Sequence, residues 1–498
     1  MVVGVTSTDK YPYDINAMAI CGNGSDSLGF YCNAVQFEDN IYTAIQAIGR
    51  DPYANKYDGK GWSRPVKIGT TPLPADGHGV PAIVRSVDGI LHVFYGAHSS
   101  LVKYAVSTYP DDISSWVDVT DRISSTAKVG AGSYPMPFLD PQTNYLWMFI
   151  RDGGEQSWNY YSSTDNGLNW SNKFTWFSTS GQTYYMPDMA QFITKVGNDY
   201  YIDLSGNRYT TARTQRENYY FFRFNTTNKH FYNIAGEDLG PTVSYAILDS
   251  KAMIWSSSLE GCELGQVFFF PDGTLSIINY EWTASFFKYF SMEWNGTTWS
   301  NQCDICTASR TKWTHAVAFK AGTASERTIA LLDPADEQKN ISAWEYNWIS
   351  HTWSSLGNFM DSSSLKNPAG YYRSLLQQPT TTPIWMFDEY GPPSVTYYVG
   401  AVDIHGTWSI VTGGMNLSTD RGINVNQGGD NCILGRDRDS FYALDCESGE
   451  IIRTGTYVEA SLSAWQALPR GFGTIIDKTP TTGPITNKYV DGVLTSST

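Results

Sequence analysis

Charge is scarce in this chain: only 17% of its 498 residues are Asp, Glu, Lys or Arg, and no stretch is basic. With 34 basic against 49 acidic residues, the formal net charge is −15. Such a chain has no cationic array with which to neutralise phosphates, which argues against a nucleic-acid partner. The acidity serves solubility and still allows an anionic ligand held by a few local arginines. Long apolar runs are missing as well. None approaches the ~20 residues of a membrane-spanning helix. No long stretch repeats apolar residues with a 3.6-residue period, so helices are not expected to build the fold.

Cysteine is sparse and odd in number: Cys21, Cys32, Cys262, Cys303, Cys306, Cys432 and Cys446. Cys303-Asp-Ile-Cys306 lacks the second pair of a zinc site, so structural cysteines are expected rather than a metal or redox centre. Cys432 and Cys446 flank an expected hairpin. No signal peptide is visible, Met1-Val-Val-Gly-Val being too short for one. Six Asn-X-Ser/Thr triplets occur, at Asn23, Asn169, Asn225, Asn295, Asn340 and Asn416. Together these features lead to the expectation of an extracellular protein whose signal peptide is not in this chain.

What is abundant is aromatic and glycine: 17 Trp, 33 Tyr and 44 Gly. That profile suits short strands joined by turns. A unit of roughly 45–55 residues recurs, an apolar strand, an aromatic strand and a polar strand closing on turn–Trp–Ser. Its endings include Gly61-Trp62-Ser, Asn169-Trp170-Ser, Thr298-Trp299-Ser, Thr352-Trp353-Ser and Thr407-Trp408-Ser. Radial repetition of such units predicts an all-β fold, a β-propeller of seven or eight four-stranded blades. A solenoid fits the varied spacing less well. The expected organisation is one propeller over residues 1–478, its last blade completed by N-terminal sequence, with a tail at 479–498 packed on it. Ser163-Thr-Asp165-Asn-Gly167-Leu-Asn-Trp170 fits the Asp-box turn, in which Asp caps turn amides, Gly takes a positive φ and Trp plugs between sheets.

The chain has only seven histidines, and two of them flank one expected hairpin. His78 precedes the run Val80–Val84, Asp88-Gly89 makes a tight turn, and Ile90–Tyr95 returns to His98. Both imidazoles should emerge at the same end. His92, between them, alternates within the strand and is assigned to structure. Tyr134 and Tyr185 open the next two units, and Arg151 and Arg208 close the strands that follow. Matching positions of successive blades converge on one end of a central channel, so these residues form one candidate constellation. It suits β-elimination at a 4-linked uronic acid. A base takes the C5 proton, an acid protonates the leaving O4, and a guanidinium fork faces the carboxylate as its charge builds. Glycoside hydrolysis would need two facing carboxylates, and none pair in the sequence. A zinc site from His78 and His98 lacks a third ligand.

Asp76-Gly-His78-Gly-Val-Pro, Gly89-Ile-Leu-His-Val-Phe-Tyr-Gly-Ala-His98, Tyr134-Pro and Phe149-Ile-Arg151 before the Asp-box resemble the propeller polysaccharide lyases of the neuraminidase-repeat superfamily. Among these the chain is most similar to the ulvan lyases and the related rhamnose–glucuronate lyases, over about residues 70–225. The resemblance implies His78 and His98 as base and hydrogen-bonding partner, Tyr134 as acid or as combined acid and base, and Arg151 as the carboxylate neutraliser. Tyr185 and Arg208 would fall in the substrate groove. Many members carry a structural metal ion. Its ligands are not recognisable here, and the chemistry itself requires no cofactor. The expected partner is an anionic, ulvan-like polysaccharide, sulfated or not, acted on by a monomer. Two other classes compete: a non-catalytic carbohydrate-binding or adhesive propeller, and a sialidase-like glycoside hydrolase.

Overall fold

The structure is a computed structural model. It describes residues 34–360 apart from connecting stretches, of which 75–78 and 179–189 bear on the site, together with strand backbone at 17–21 and between residues 372 and 497. His78 and Tyr185 lie outside the described residues. The described strands form antiparallel sheets, several of them four-stranded, that follow one another along the chain.

The described strands of residues 17–410 form seven sheets. The first holds Ala34–Phe37, Asn40–Gln46, Pro52–Tyr57 and Val66–Lys67. The second holds Ala82–Arg85, Leu91–Tyr95, Lys103–Ser107 and Trp116–Asp118. The third runs Ala131–Leu139, Leu146–Asp152, Ser157–Ser163 and Phe174–Ser178. The fourth is built on Ala190–Val196, Asp199–Tyr209 and Arg216–Asn225, and the fifth on Leu275–Trp282, Phe286–Trp294 and Cys303–Ser309. The seventh contains Ile384–Gly391 and Ser394–Val402, and the N-terminal strand Ala17–Cys21 pairs with the latter. Two more sheets follow. In the first of them Cys432–Asp437 pairs with Ser440–Asp445, the hairpin expected beside Cys432. In the last, Gly483–Val490 and Val493–Ser497, from the segment read as a tail, extend the pairing of Gly473–Thr479.

Successive sheets bury both faces of their central strands, which explains the near-continuous apolar runs. Every residue of Leu91–Tyr95 is buried. Tyr42 and Ala44 of the first sheet pack with Ile83, Val93 and Tyr95 of the second. Val84 and Phe94 pack in turn with Leu146, Met148 and Trp170 of the third. Trp147 and Phe149 meet Phe222 and Phe224 of the fourth. Two departures from the sequence reading have local causes. A seven-residue helix, Tyr245–Lys251, inserts in the fourth sheet, its first turn capped by the Ser244 side chain, and it is too short to register as a period. The hairpin turn at Asp88-Gly89 is also one residue longer than a two-residue turn. Ser86 N donates to Ile90 O at 2.9 Å, so Val87, Asp88 and Gly89 form the loop, with Gly89 at φ 88°.

The Asp-box joins the second and third sheets. Asp165 Oδ1 accepts from Asn169 N and from Ser163 Oγ, both at 2.8 Å. Burial opposes the charge on Asp165, yet the bonds from Asn169 and Ser163 hold its carboxyl below the usual range. Trp170 inserts edge-on against Phe94 and Tyr104. One sequon is spent on structure: Asn225 is buried, and its Oδ1 accepts from Thr227 N and Asn228 N.

His92 has the structural place expected of it, fully buried between Tyr104 OH (2.6 Å from Nδ1) and Ser86 Oγ (3.0 Å from Nε2). Burial pushes its pKa from 6.5 down to about 3. The folded state therefore holds His92 neutral while the unfolded chain protonates it. Its contribution is complete above pH 6.5 and is lost as the pH falls towards about 3. Stability should therefore fall steadily as the pH drops through that window, from this group alone. Urea unfolding of wild type and His92→Gln at a series of pH values checks this. The gap between the two should narrow on acidification, and a gap independent of pH would refute it.

Candidate active site

The end of the second-sheet hairpin is shaped by close backbone approach. Gly96 N donates to Gly79 O at 3.0 Å. A Cβ on Gly79 would lie 3.1 Å from Gly96 Cα, while Gly96 itself sits at φ 65° against the ring of Pro72. Only glycine allows the two chains to meet this tightly here. The chain then leaves the second sheet through Ala97 and His98 and enters the third. Ser100–Leu101 pairs with Ala131 and Gly132. This crossover delivers His98 to the strand that carries Tyr134.

That strand is bulged where it receives the histidine. Ser133 pairs with Arg151 and Met136 with Phe149, so Tyr134 and Pro135 together oppose one residue. Tyr134 takes φ 64°, a left-handed conformation unfavourable for a tyrosine and more so before proline. Strain of this kind costs about 1–3 kcal/mol and persists where its surroundings enforce it. Here Tyr134 N donates to Ala97 O at 3.4 Å, and the ring packs in the core cluster with Met136 and Phe149.

Three of the expected residues are thereby brought together. The His98 and Tyr134 rings lie 5.8 Å apart, tilted by 31°. Arg151 Cζ sits 4.5 Å from the centre of the Tyr134 ring, a cation–π contact. Tyr134 and Arg151 are buried and His98 is half-buried. Arg151 cannot shed its charge, so its burial is costly unless hydrogen bonds and charge compensate it. Ser133 Oγ supplies one such bond, accepting from Nη2 at 3.0 Å.

Arg208 is engaged elsewhere. Its Nε and Nη2 meet Glu217 Oε1 at 2.9 and 2.7 Å, and its Nη1 meets Asp249 Oδ2 at 2.9 Å. Asp249 comes from the inserted helix and also accepts from Tyr220 OH at 2.5 Å. Two residues absent from the sequence reading belong at the strand ends. Ser133 is one. Gln46, which ends its strand as Arg151 nearly ends its own, is the other. It is buried, and among the described residues neither polar atom of its amide has a hydrogen-bond partner. The signal that could have found Gln46 is its position, a polar residue closing an apolar second strand. Among the described residues no group of three or more His, Cys, Asp or Glu is placed to hold a metal ion. Cys303 and Cys306 are free thiols, and burial pushes Cys306 up to about 12, so neither is a ready thiolate. No helix among the described residues is long and apolar enough to cross a membrane.

Antiparallel sheets in sequence, an Asp-box turn between two of them and a His–Tyr–Arg cluster at one hairpin end define a class of repeat protein. The model of the BNR repeat-containing family matches residues 44–304, more than half of the chain, and the chain belongs to that family. Among curated proteins it is similar to an ulvan lyase of Alteromonas sp. (strain LOR), 27% identical over 249 residues that cover 43% of this chain and 50% of that one. An ulvan lyase of Nonlabens ulvanivorans is 25% identical over 296 residues, covering 52% of this chain and 60% of that one. The chain spans about half the length of the curated relatives it matches. A solved polysaccharide lyase described as an ulvan lyase, bound to -[GlcA(1-4)Rha3S]-, superposes with a TM-score of 0.62. It covers 80% of this chain and 98% of that one at 17% identity, a likeness of fold.

Proposed function

We propose that the chain is a polysaccharide lyase that cleaves a uronate-containing, ulvan-like polymer by β-elimination. The observation that carries this reading is the stacking of Arg151 on Tyr134 beside His98, at a strained bulge. Sequence similarity to ulvan lyases supports it, as does a fold shared with one bound to a glucuronate–rhamnose sulfate repeat.

In the proposed step Arg151 faces the C6 carboxylate of the uronate. Its charge lowers the cost of the aci-carboxylate that forms as C5 loses its proton to His78 or Tyr134. The electron pair of the C5–H bond becomes the C4=C5 double bond, and the C4–O4 bond breaks. O4 leaves as a hydroxyl once protonated by Tyr134, and His98 holds the acid–base pair by hydrogen bonding. No metal enters these steps. Tyr185 and, more loosely, Arg208 are assigned to the substrate groove. The ion pairs of Arg208 with Glu217 and Asp249 favour a supporting role there over that of a second carboxylate receptor.

In the same reading the seven sheets of residues 17–410 are the blades of a β-propeller, the seventh completed by the N-terminal strand, and the protein is secreted and monomeric. The test is to incubate the chain with ulvan and with other uronate polymers and follow ultraviolet absorbance of the conjugated product. Absorbance should rise with at least one polymer and fall by about 10²-fold or more in His78→Ala and Tyr134→Phe. Sugar binding with no absorbance change for any polymer would instead identify a carbohydrate-binding module.

A further inference from the structure

We propose that Ser133 is a positioning residue of this site, one oxygen that fixes both the arginine and the histidine loop. The assignment rests on the lyase reading above. Ser133 is fully buried, stands directly before the strained Tyr134 and pairs across the sheet with Arg151. Its Oγ accepts from Arg151 Nη2 at 3.0 Å and from Ser99 N at 2.7 Å. Two donors take both lone pairs of the hydroxyl.

Each bond has a consequence. The first holds the guanidinium by one edge while its Cζ sits over the Tyr134 ring. A fork that must meet a carboxylate in plane loses its advantage over a point charge if it can swing. The second holds Ser99, itself at φ 51°, and so fixes the turn immediately after His98. His98 N donates to Ser100 Oγ at 3.2 Å, and Ser100 Oγ donates to Gly96 O at 2.8 Å, which closes this turn on itself. The loop of the second sheet is therefore latched to the third through Ser133. No sequence pattern marks this serine, because its role depends on the register of two strands and a crossover.

The experiment is a double-mutant cycle on the full chain, scored by initial rate and KM on the polymer that gives unsaturated ends. Ser133→Ala should lower kcat by about tenfold or more, the order expected for a lost hydrogen bond to a charged group. KM should change less. In an Arg151→Lys background, which keeps a charge but has no Nη2, the same substitution should cost several-fold less in kcat than it does in the wild type, the loss that remains belonging to the Ser99 bond. Ser133→Thr and Ser133→Val have the same shape and differ in the hydroxyl, so any activity retained should belong to the threonine. Melting curves confirm that each variant is folded.

A Ser133→Ala enzyme with wild-type kcat overturns the assignment, as does an effect that multiplies in full with Arg151→Lys. A wild-type chain that makes no unsaturated ends overturns the lyase reading, and this assignment with it.

Discussion

Arg151→Ala should lower kcat/KM on a uronate polymer by about 10²–10³-fold, the loss seen when one preorganised electrostatic group is removed from a developing anion. The reasoning starts from burial. A guanidinium 2% exposed stays charged, so the fold has accepted a desolvation cost at this position. The contact with the Tyr134 ring and the bond it donates to Ser133 Oγ hold it in place. In the proposed reaction a uronate carboxylate becomes more basic as C5 loses its proton, so attraction to Arg151 would strengthen in the transition state and kcat should fall with kcat/KM. Arg151→Lys should recover only part of the loss, because an ammonium offers one point of charge and cannot also reach Ser133. Full turnover by a folded Arg151→Ala enzyme would make Arg151 a packing residue. Steady-state kinetics and a melting curve on the same sample decide between the two.

Gly167→Ala should have the largest effect on stability. Gly167 lies in the Asp-box at φ 77°, a conformation that costs a non-glycine residue about 1–2 kcal/mol. A Cβ there would run into the Tyr104 hydroxyl and come within 2.8 Å of His92 Cε1 and 2.9 Å of His92 Nδ1. Both rings are buried and hydrogen-bonded to each other, so neither can withdraw cheaply. Overpacking adds about 1–3 kcal/mol. A clear fall in thermal midpoint is expected, with the proposed lyase activity kept at permissive temperature, because the residues disturbed are not among those assigned to the site. Calorimetry and an assay well below the midpoint test both halves. An unchanged midpoint would mean the Asp-box does not bind the two sheets together.

Much of this is legible in the sequence alone. The hairpin from Val80 to Tyr95 follows from two apolar runs about Asp88-Gly89, and its pairing puts Ala82 opposite Phe94 and Val84 opposite His92. The Asp-box follows from residue types at fixed spacing, since each supplies a distinct piece of one turn. His98, Tyr134 and Arg151 were found as strand-end residues of successive repeats, and contacts do join them. What stayed hidden depends on register or on distant charge. The bulge at Tyr134-Pro135 needs the count of residues on both strands, and Ser133 needs the crossover at Ser100 as well. Arg208 reads in sequence like Arg151. Its two carboxylates come from the neighbouring strand and from an inserted helix 41 residues away, which no strand pattern announces. N-terminal sequence is expected to complete the last unit, but that Ala17–Cys21 pairs with Ser394–Val402, with two more sheets after it, is not visible to local patterning.

The most direct measurement of the central claim is the mass of the shortest oligosaccharides released from ulvan. Elimination leaves a 4,5-unsaturated uronate at the new non-reducing end, so each fragment with a new end should be one water lighter than its hydrolytic counterpart. Fragments of that mass from the wild type, and their loss in Arg151→Ala, are the predicted result. Fully hydrated fragments would contradict it and make the chain a hydrolase, and intact polymer would make it a sugar-binding protein.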